Sequence, residues 1–319
     1  MFRNKRVLVT GGAGFIGTNL IKQLVSMGAE VRATLHDKES QFNDPSVSYY
    51  PYCDLTKPKD CQIVCRDIDY VFLCAANTSG AAVMEKTPLA HLTPNLMMNA
   101  LMLEAAYAEG VKKVLFISTN TVYPLTNYPV VEEDANFDFY EKYFIVGWMK
   151  RFSEIMCEMY STKIRKPMET VVVRPANIYG PYDDFEWETS HVLPAMIRRV
   201  VERHDPIEVW GDGKDIKDFI YIDDFVDGML LAMEKISGFD VVNIASGMPY
   251  CLRDMLEIIL ELDGYSDADI RYDSTKPTMI PKRLINADKA RRLLGFEAST
   301  PIEVGLKKTI EWYRENRDV

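Results

Sequence analysis

The chain has 319 residues and a mass of 36.5 kDa, enough to bury a large core and to carry a smaller lobe beside a main domain. Its apolar share of 47% and charged share of 26% are those of an ordinary globular protein, and no apolar run approaches the length of a membrane span. A net charge of −10 argues against nucleic acid or an anionic membrane as partner, so any phosphate-bearing ligand must be met by a local site and not by a global field.

The opening Met1-Phe2-Arg3-Asn4-Lys5-Arg6 leads into an apolar run at 7–10, which predicts a buried strand and not a signal segment; a cytoplasmic protein is expected. Residues 15–27 then carry helical periodicity. Between the two stands Thr10-Gly11-Gly12-Ala13-Gly14-Phe15-Ile16-Gly17. One glycine permits a tight bend, one lets backbone N–H groups approach a pyrophosphate, and Gly17 lets the helix pack closely on the strand. The pyrophosphate would lie at the positive end of that helix. The placement predicts a dinucleotide site built from Gly11, Gly14, Phe15, Ile16 and Gly17.

Further strands are expected at 30–35, 70–75, 114–118 and 170–174, with helices at 58–64, 95–109 and 141–161 between them. That alternation predicts an α/β fold, a doubly wound parallel sheet of Rossmann type with a smaller, interleaved α/β lobe. The dinucleotide domain would span 1–174, with 218–245 returning to it through strands at 218–221 and 241–244; 175–217 and 246–319 would form the substrate lobe. The helices at 95–109 and 141–161 are apolar on more than one face (Leu96, Met97, Leu101 and Met102; Phe144, Trp148, Met149, Phe152, Ile155 and Met156), which suggests a homodimer through paired helices or wholly internal core helices. The six cysteines show no metal-ligand spacing, so reduced thiols and no metal site are expected; Cys61 and Cys65 share a helix face as packing residues.

Cofactor choice turns on the end of the second strand. NAD enzymes place an acid about 20 residues beyond the glycines to hold the ribose hydroxyls. Here Arg32-Ala33-Thr34-Leu35-His36-Asp37-Lys38 puts Leu35 in that place. His36, Lys38 and Arg32 could meet a 2′-phosphate, whereas Asp37 could serve NAD. NADP is expected, with NAD left open.

Four stretches together resemble the extended short-chain dehydrogenase/reductases that act on nucleotide sugars: the glycine turn, Ala75-Ala76-Asn77, the segment STNTVY at 118–123, and Arg174-Pro175-Ala176-Asn177-Ile178-Tyr179-Gly180-Pro181. Within that family, residues 177–224 are most similar to enzymes that epimerise and reduce GDP-linked 4-keto-6-deoxy sugars, through NIYGPYDDF, SHVLPAMIRR and VWGDGKDIKDFIYIDD. The likeness covers essentially the whole chain. It implies that Asp54, Leu55, Ala75, Ala76 and Lys150 contact the cofactor.

The family's catalysis uses a Tyr-x-x-x-Lys pair on one helix face, in which the lysine lowers the tyrosine pKa for proton exchange with a sugar oxygen. Here the lysine is Lys150, and four residues before it stands Val146, which can exchange no proton. Tyr143, one turn earlier, either substitutes or merely packs at the helix end, and Tyr140 is a weaker substitute. Tyr272 and Lys276 share the spacing but precede Pro277 in the late lobe, where no such helix is expected. Thr119 matches the family's catalytic hydroxyl. Thr121 falls where the GDP-sugar enzymes carry a cysteine used in epimerisation, and a threonine is a far poorer acid or base. His191 matches a substrate-facing acid/base.

On the substrate side, Asn177 resembles a diphosphate or sugar contact, and Arg198, Arg199, Lys217 and Arg283 stand where relatives bind nucleotide phosphates; one of the adjacent arginines would face solvent. Trp210 would line the base pocket or lie in the core. The resemblance thus implies an NADP(H)-dependent oxidoreductase/epimerase of a GDP-linked 4-keto sugar in deoxysugar or surface-polysaccharide biosynthesis. The alternatives are an epimerase without net redox chemistry and a non-catalytic dinucleotide-binding scaffold.

Overall fold

A computed structural model describes residues 1–77, 87–276 and 278–317. The chain runs β1 (Arg6–Thr10), α1 (Phe15–Ser26), β2 (Glu30–Thr34), β3 (Val47–Tyr50), α2 (Pro58–Cys65), β4 (Tyr70–Leu73), α3 (Thr93–Ala108), β5 (Lys113–Ile117), α4 (Phe144–Thr162) and β6 (Glu169–Pro175). It continues through β7 (Asn177–Tyr179), α5 (Val192–Val201), β8 (Ile207–Trp210), β9 (Ile216–Tyr221), α6 (Ile222–Lys235) and β10 (Phe239–Ile244). The last elements are β11 (Pro249–Cys251), α7 (Leu252–Asp263), β12 (Ile270–Asp273), α8 (Asp288–Leu294) and α9 (Ile302–Asn316).

Apolar alternation sets both faces of a seven-stranded sheet in the order β10-β6-β5-β4-β1-β2-β3, parallel throughout. Val7 and Val9 of β1 point to one face and Leu8 to the other, and Val171 and Val173 of β6 oppose Val172 in the same way. Leu20, Ile21 and Leu24 of α1, with Phe225, Val226 and Met229 of α6, cover the first face. Cys61, Val64 and Cys65 of α2, with Met102, Leu103 and Ala106 of α3 and Cys157 of α4, cover the second. Strand order reverses between β1 and β4, which opens a crevice at their carboxyl ends.

Two expectations need correction. The strand at 218–221 does not return to the main sheet. After Ala176 the chain leaves that sheet as β7, and β9 pairs with β7 and β11 in a separate three-stranded sheet, leaving only β10 to extend the main one. The helix expected from 141 begins at Phe144, because Glu141–Tyr143 form a 3-10 turn first. Strand β3, four residues at the sheet edge, was not anticipated. In the lobe, α5, α7 and α9 pack together, and their apolar residues join the cluster that covers the first face of the sheet. Among the described residues no helix is long and apolar enough to cross a membrane.

Candidate active site

The glycine turn is closed by contacts that only glycines allow. Gly11 has φ +69°, and a Cβ on Gly17 would lie 2.2 Å from the Gly11 carbonyl oxygen. The Gly11 amide donates to the Thr34 hydroxyl (3.0 Å) and the Gly12 amide to the Thr34 carbonyl (2.8 Å), which fixes the turn to the end of β2. The N–H groups of Phe15, Ile16 and Gly17 are those a helix start leaves without intrahelical partners, and the first turn of α1 holds no acidic residue. This cradle fits a dinucleotide pyrophosphate.

The neighbouring strand end abuts the turn. The Thr10 hydroxyl accepts from the amides of Cys74 (3.0 Å) and Ala75 (2.9 Å), and a Cβ on Gly11 would come within 2.8 Å of the Ala75 Cα. Ala75 is half-buried and Ala76 exposed. The buried Asn95 side chain clamps Asn77, accepting from its amide (2.8 Å) and donating to its carbonyl (2.9 Å).

At the far end of the crevice, Leu35 is buried, while His36, Asp37 and Lys38 are exposed and His36 lies 2.9 Å from Asp37. Arg32 points elsewhere: it donates to the Val64 and Arg66 carbonyls and stacks 5.1 Å from the Tyr50 ring. Asp54 organises the loop before α2. Bonds from the Thr56 hydroxyl and amide, with Lys57 at 3.2 Å, hold its carboxyl down to about 2. Leu55 is buried beside it and accepts from the Cys61 thiol.

Past β5 the Thr119 hydroxyl caps a 3-10 turn, accepting from the Thr121 amide (3.2 Å) and hydroxyl (3.3 Å). Thr119 is half-buried and Thr121 buried. Helix α4 approaches this turn so closely that a Cβ on Gly147 would lie 2.8 Å from the Phe139 ring and 3.0 Å from the Thr121 carbonyl. One turn further on, the Lys150 ammonium donates to the Ile117 carbonyl (2.8 Å) and sits 4.9 Å from the Phe116 ring centroid. Burial brings its pKa down to about 8, against opposing pulls from Glu154 and Cys74. Tyr143 is half-buried; burial pushes its hydroxyl up to about 12, with Asp215 and Tyr140 acting in the same direction.

Beneath Lys150 lies a polar network that the sequence reading missed. Glu154 accepts from both sides of the Arg174 guanidinium, from Arg151 (3.0 Å) and from the Ser118 hydroxyl. Arg174 also donates to the Tyr123 hydroxyl (3.0 Å) and the Glu132 carbonyl (2.8 Å). The available signal was a glutamate four residues after Lys150, on the same helix face.

From the lobe, His191 occupies the N-cap position of α5 without a side-chain cap bond and is exposed. Surrounding protein holds its pKa below the usual imidazole value, with Asp184 opposing. Asn177 is anchored by donating to the Asp218 carbonyl (2.9 Å). Lys217 lies 3.5 Å from Asp215 and donates to the Ile280 carbonyl (3.0 Å). Arg283 is only 2% exposed and donates to the Pro124 and Tyr123 carbonyls (2.9 and 3.1 Å), which makes it a brace under the 118–123 turn. Arg198 and Arg199 lie 4.1 and 5.1 Å from the ring centroid of the exposed Trp187, and Arg198 also pairs with Glu202. Trp210 is half-buried, its indole N–H on Glu208 (3.0 Å).

Residues 7–245 match the family model described as NAD dependent epimerase/dehydratase family. The chain is 29% identical to a probable GDP-L-fucose synthase 1 of rice, over 98% of this chain and 92% of that one. It is 25% identical to the GDP-L-fucose synthase of Escherichia coli, over 98% of each. The fold superposes with a TM-score of 0.88 on a UDP-glucose 4-epimerase of Thermotoga maritima solved with UDP-glucose, at 26% identity and covering 98% and 99% of the two chains. With its glycine cradle, its lysine at the sheet edge and this span of similarity, the chain belongs to the NAD-dependent epimerase/dehydratase family, as a nucleotide-sugar enzyme of the extended short-chain dehydrogenase/reductase type.

Proposed function

We propose that this enzyme transfers hydride between a nicotinamide dinucleotide and C4 of a GDP-linked 4-keto sugar, with NADPH as the reductant. The observation that carries the proposal is the convergence of the glycine cradle, Lys150 and Thr119 on one edge of the sheet. Likeness to GDP-L-fucose synthases supports the GDP-linked keto sugar. In this reading Thr119 bonds the C4 oxygen, His191 faces the sugar, and Asn177, Lys217 and one of Arg198 and Arg199 meet the nucleotide end. The exposed His36 and Lys38 favour a 2′-phosphate over a bare ribose.

Thr121, where a thiol would serve epimerisation, favours reduction over epimerisation as the main outcome. The exposed Phe144, Trp148 and Phe152 of α4, beside Met97 of α3, support a homodimer through these helices. Sedimentation of the purified chain at the mass of two copies is expected.

The central test incubates the chain with NADPH and GDP- or dTDP-linked 4-keto-6-deoxyhexoses. Saturable NADPH oxidation with a C4 alcohol as product is expected. Inversion of the sugar without oxidation would replace the proposal by an epimerase, and dinucleotide binding with neither outcome by a scaffold.

A further inference from the structure

We propose that Lys150 is itself the acid that protonates the sugar C4 oxygen, in a helix whose tyrosine position is filled by Val146; the inference rests on the reductase reading above.

An ammonium carries three N–H donors, and Lys150 directs one at the Ile117 carbonyl, 2.8 Å away. Its nearest carboxylate, on Glu154 one turn further along α4, is already taken. One of its oxygens accepts from Ser118 and Arg174, and the other from Arg174 and Arg151. Among the described residues Lys150 therefore forms no ion pair. The other elements packed against it bring the Phe116 ring from β5 and, from the end of β4, the Cys74 thiol, which burial keeps neutral. A lysine in such a place gives up its proton far more readily than one in water.

Other candidates are placed less well. Val146 has no proton to give, and burial, with Asp215 and Tyr140 acting the same way, holds the Tyr143 hydroxyl proton more tightly than in water. Thr119 stands two residues beyond Ile117 and accepts both of its bonds from Thr121, so its hydroxyl can pass a proton to the sugar oxygen, but an alcohol is too weak an acid to be the net source of one.

The reduced nicotinamide dinucleotide supplies the hydride, which bonds to the carbonyl carbon. The C=O π pair moves onto oxygen, and that oxygen takes a proton from Lys150, directly or through a Thr119 hydroxyl that gives one proton and receives another. Lys150 is left as a neutral amine and regains its proton from water. Each ketone reduced consumes one reduced dinucleotide and one proton.

The test uses NADPH and GDP-4-keto-6-deoxymannose with wild type, Lys150→Arg and the Val146→Tyr/Lys150→Arg double variant. Arginine keeps the charge but releases no proton, so turnover should fall by about 10²–10⁴-fold while NADPH binding, followed by fluorescence, persists. The double variant, with a phenol restored, should regain turnover. Wild-type kcat should be flat at lower pH and fall above about 8. Lys150→Arg turning over at the wild-type rate would overturn the inference and leave the reductase reading intact. Failure of wild type to reduce any 4-keto probe would overturn both. A readout independent of turnover is the titration of isotopically labelled lysines by NMR in the protein without ligands. A signal at about 8, lost in Lys150→Arg, is expected, and Lys150 titrating at the ordinary 10.5 would overturn the inference.

Discussion

Arg174 grips Glu154 with two of its guanidinium nitrogens, each 2.8 Å from a different carboxylate oxygen, and neither side chain is more than 2% exposed. Arg174 lies one residue before the end of β6 and Glu154 follows Lys150 by one helical turn, so the pair ties α4 to the sheet. Both oxygens of Glu154 are saturated, which leaves Lys150 without a carboxylate partner among the described residues, its ammonium bonded to the Ile117 carbonyl instead.

Glu154→Gln would leave the Arg174 charge buried and uncompensated. Breaking one side of such a pair costs about 3–5 kcal/mol, so the urea midpoint should fall sharply. A double change of Glu154→Gln with Arg174→Met should cost less than Glu154→Gln alone. A single variant as stable as wild type would show that water reaches the pair and compensates it.

The glycine turn offers a graded test. A Cβ on Gly17 would lie 2.2 Å from the Gly11 carbonyl oxygen, whereas one on Gly14 would lie 3.3 Å from the same atom. Gly17→Ala must push α1 off the turn at Gly11 and Gly12, at a cost of about 1–3 kcal/mol, and should abolish dinucleotide binding. Gly14→Ala needs a shift of only a few tenths of an ångström and should keep most of the stability. Equal melting temperatures for the two variants would contradict the packing.

The glycine turn and, apart from β3, the first-half strands were legible because the central strands are near-continuous apolar runs and α1 carries an apolar stripe. Val7-Leu8-Val9 and Val171-Val172-Val173 can only lie between two covered faces. The destination of Ile216–Tyr221 was not legible, because its apolar pattern fits any half-buried sheet and the choice is made by β7, which Ala176 turns out of the main sheet. The candidate site divides in the same way. The resemblance, not spacing, pointed to Thr119, Thr121 and Lys150; in the fold α4 packs at Gly147 on the Thr121 carbonyl, and Lys150 bonds the Ile117 carbonyl two residues before Thr119. The charge on Arg283 gave no sign that its donors would be used on backbone carbonyls 159 and 160 residues away in sequence.

That placement divides the two cations. Arg283→Ala would strip the Tyr123 and Pro124 carbonyls of their donor, at about 1–3 kcal/mol for each group left unpaired, so thermal stability should fall before any change in KM is read. Lysine at 283 should not rescue it, because the guanidinium fork is lost. Lys217→Ala should instead raise KM for the nucleotide sugar and leave dinucleotide binding unchanged. An unchanged KM in Lys217→Ala would place the diphosphate elsewhere.

Cofactor preference should respond at His36, which is exposed at the end of β2 beside Asp37. His36→Asp removes the proposed partner of a 2′-phosphate and adds a second negative charge, so the ratio of NADP to NAD affinity should drop. Charge-assisted hydrogen bonds of this kind are worth about 1.5–3 kcal/mol, which sets the scale of the shift in titration calorimetry. Wild type binding NAD more tightly than NADP would reverse the assignment.

Lys150 should be a residue that the fold tolerates at a cost. Its pKa falls from the ordinary 10.5 to about 8 in the folded chain, which corresponds to a penalty of about 3 kcal/mol on the charged form. Below pH 8 both folded and unfolded chains carry the proton, and the full penalty stands. Between about 8 and 10.5 the unfolded chain binds more protons than the folded one, so wild-type stability attributable to this group rises with pH. Lys150→Met removes the charge and also the bond to the Ile117 carbonyl, a loss of about 1 kcal/mol. The methionine variant should therefore be inactive yet more stable than wild type at pH 7, by up to about 2 kcal/mol from these two figures. The advantage should shrink as pH rises from about 8 and be lost by pH 10.5, where the folded lysine is neutral, the unfolded one is half protonated, and the missing hydrogen bond outweighs what remains of the penalty. Urea unfolding of both proteins at the two pH values reads the difference directly. A methionine variant less stable at pH 7 would mean that Lys150 holds its charge without penalty, and that its proton is no easier to remove than that of a surface lysine.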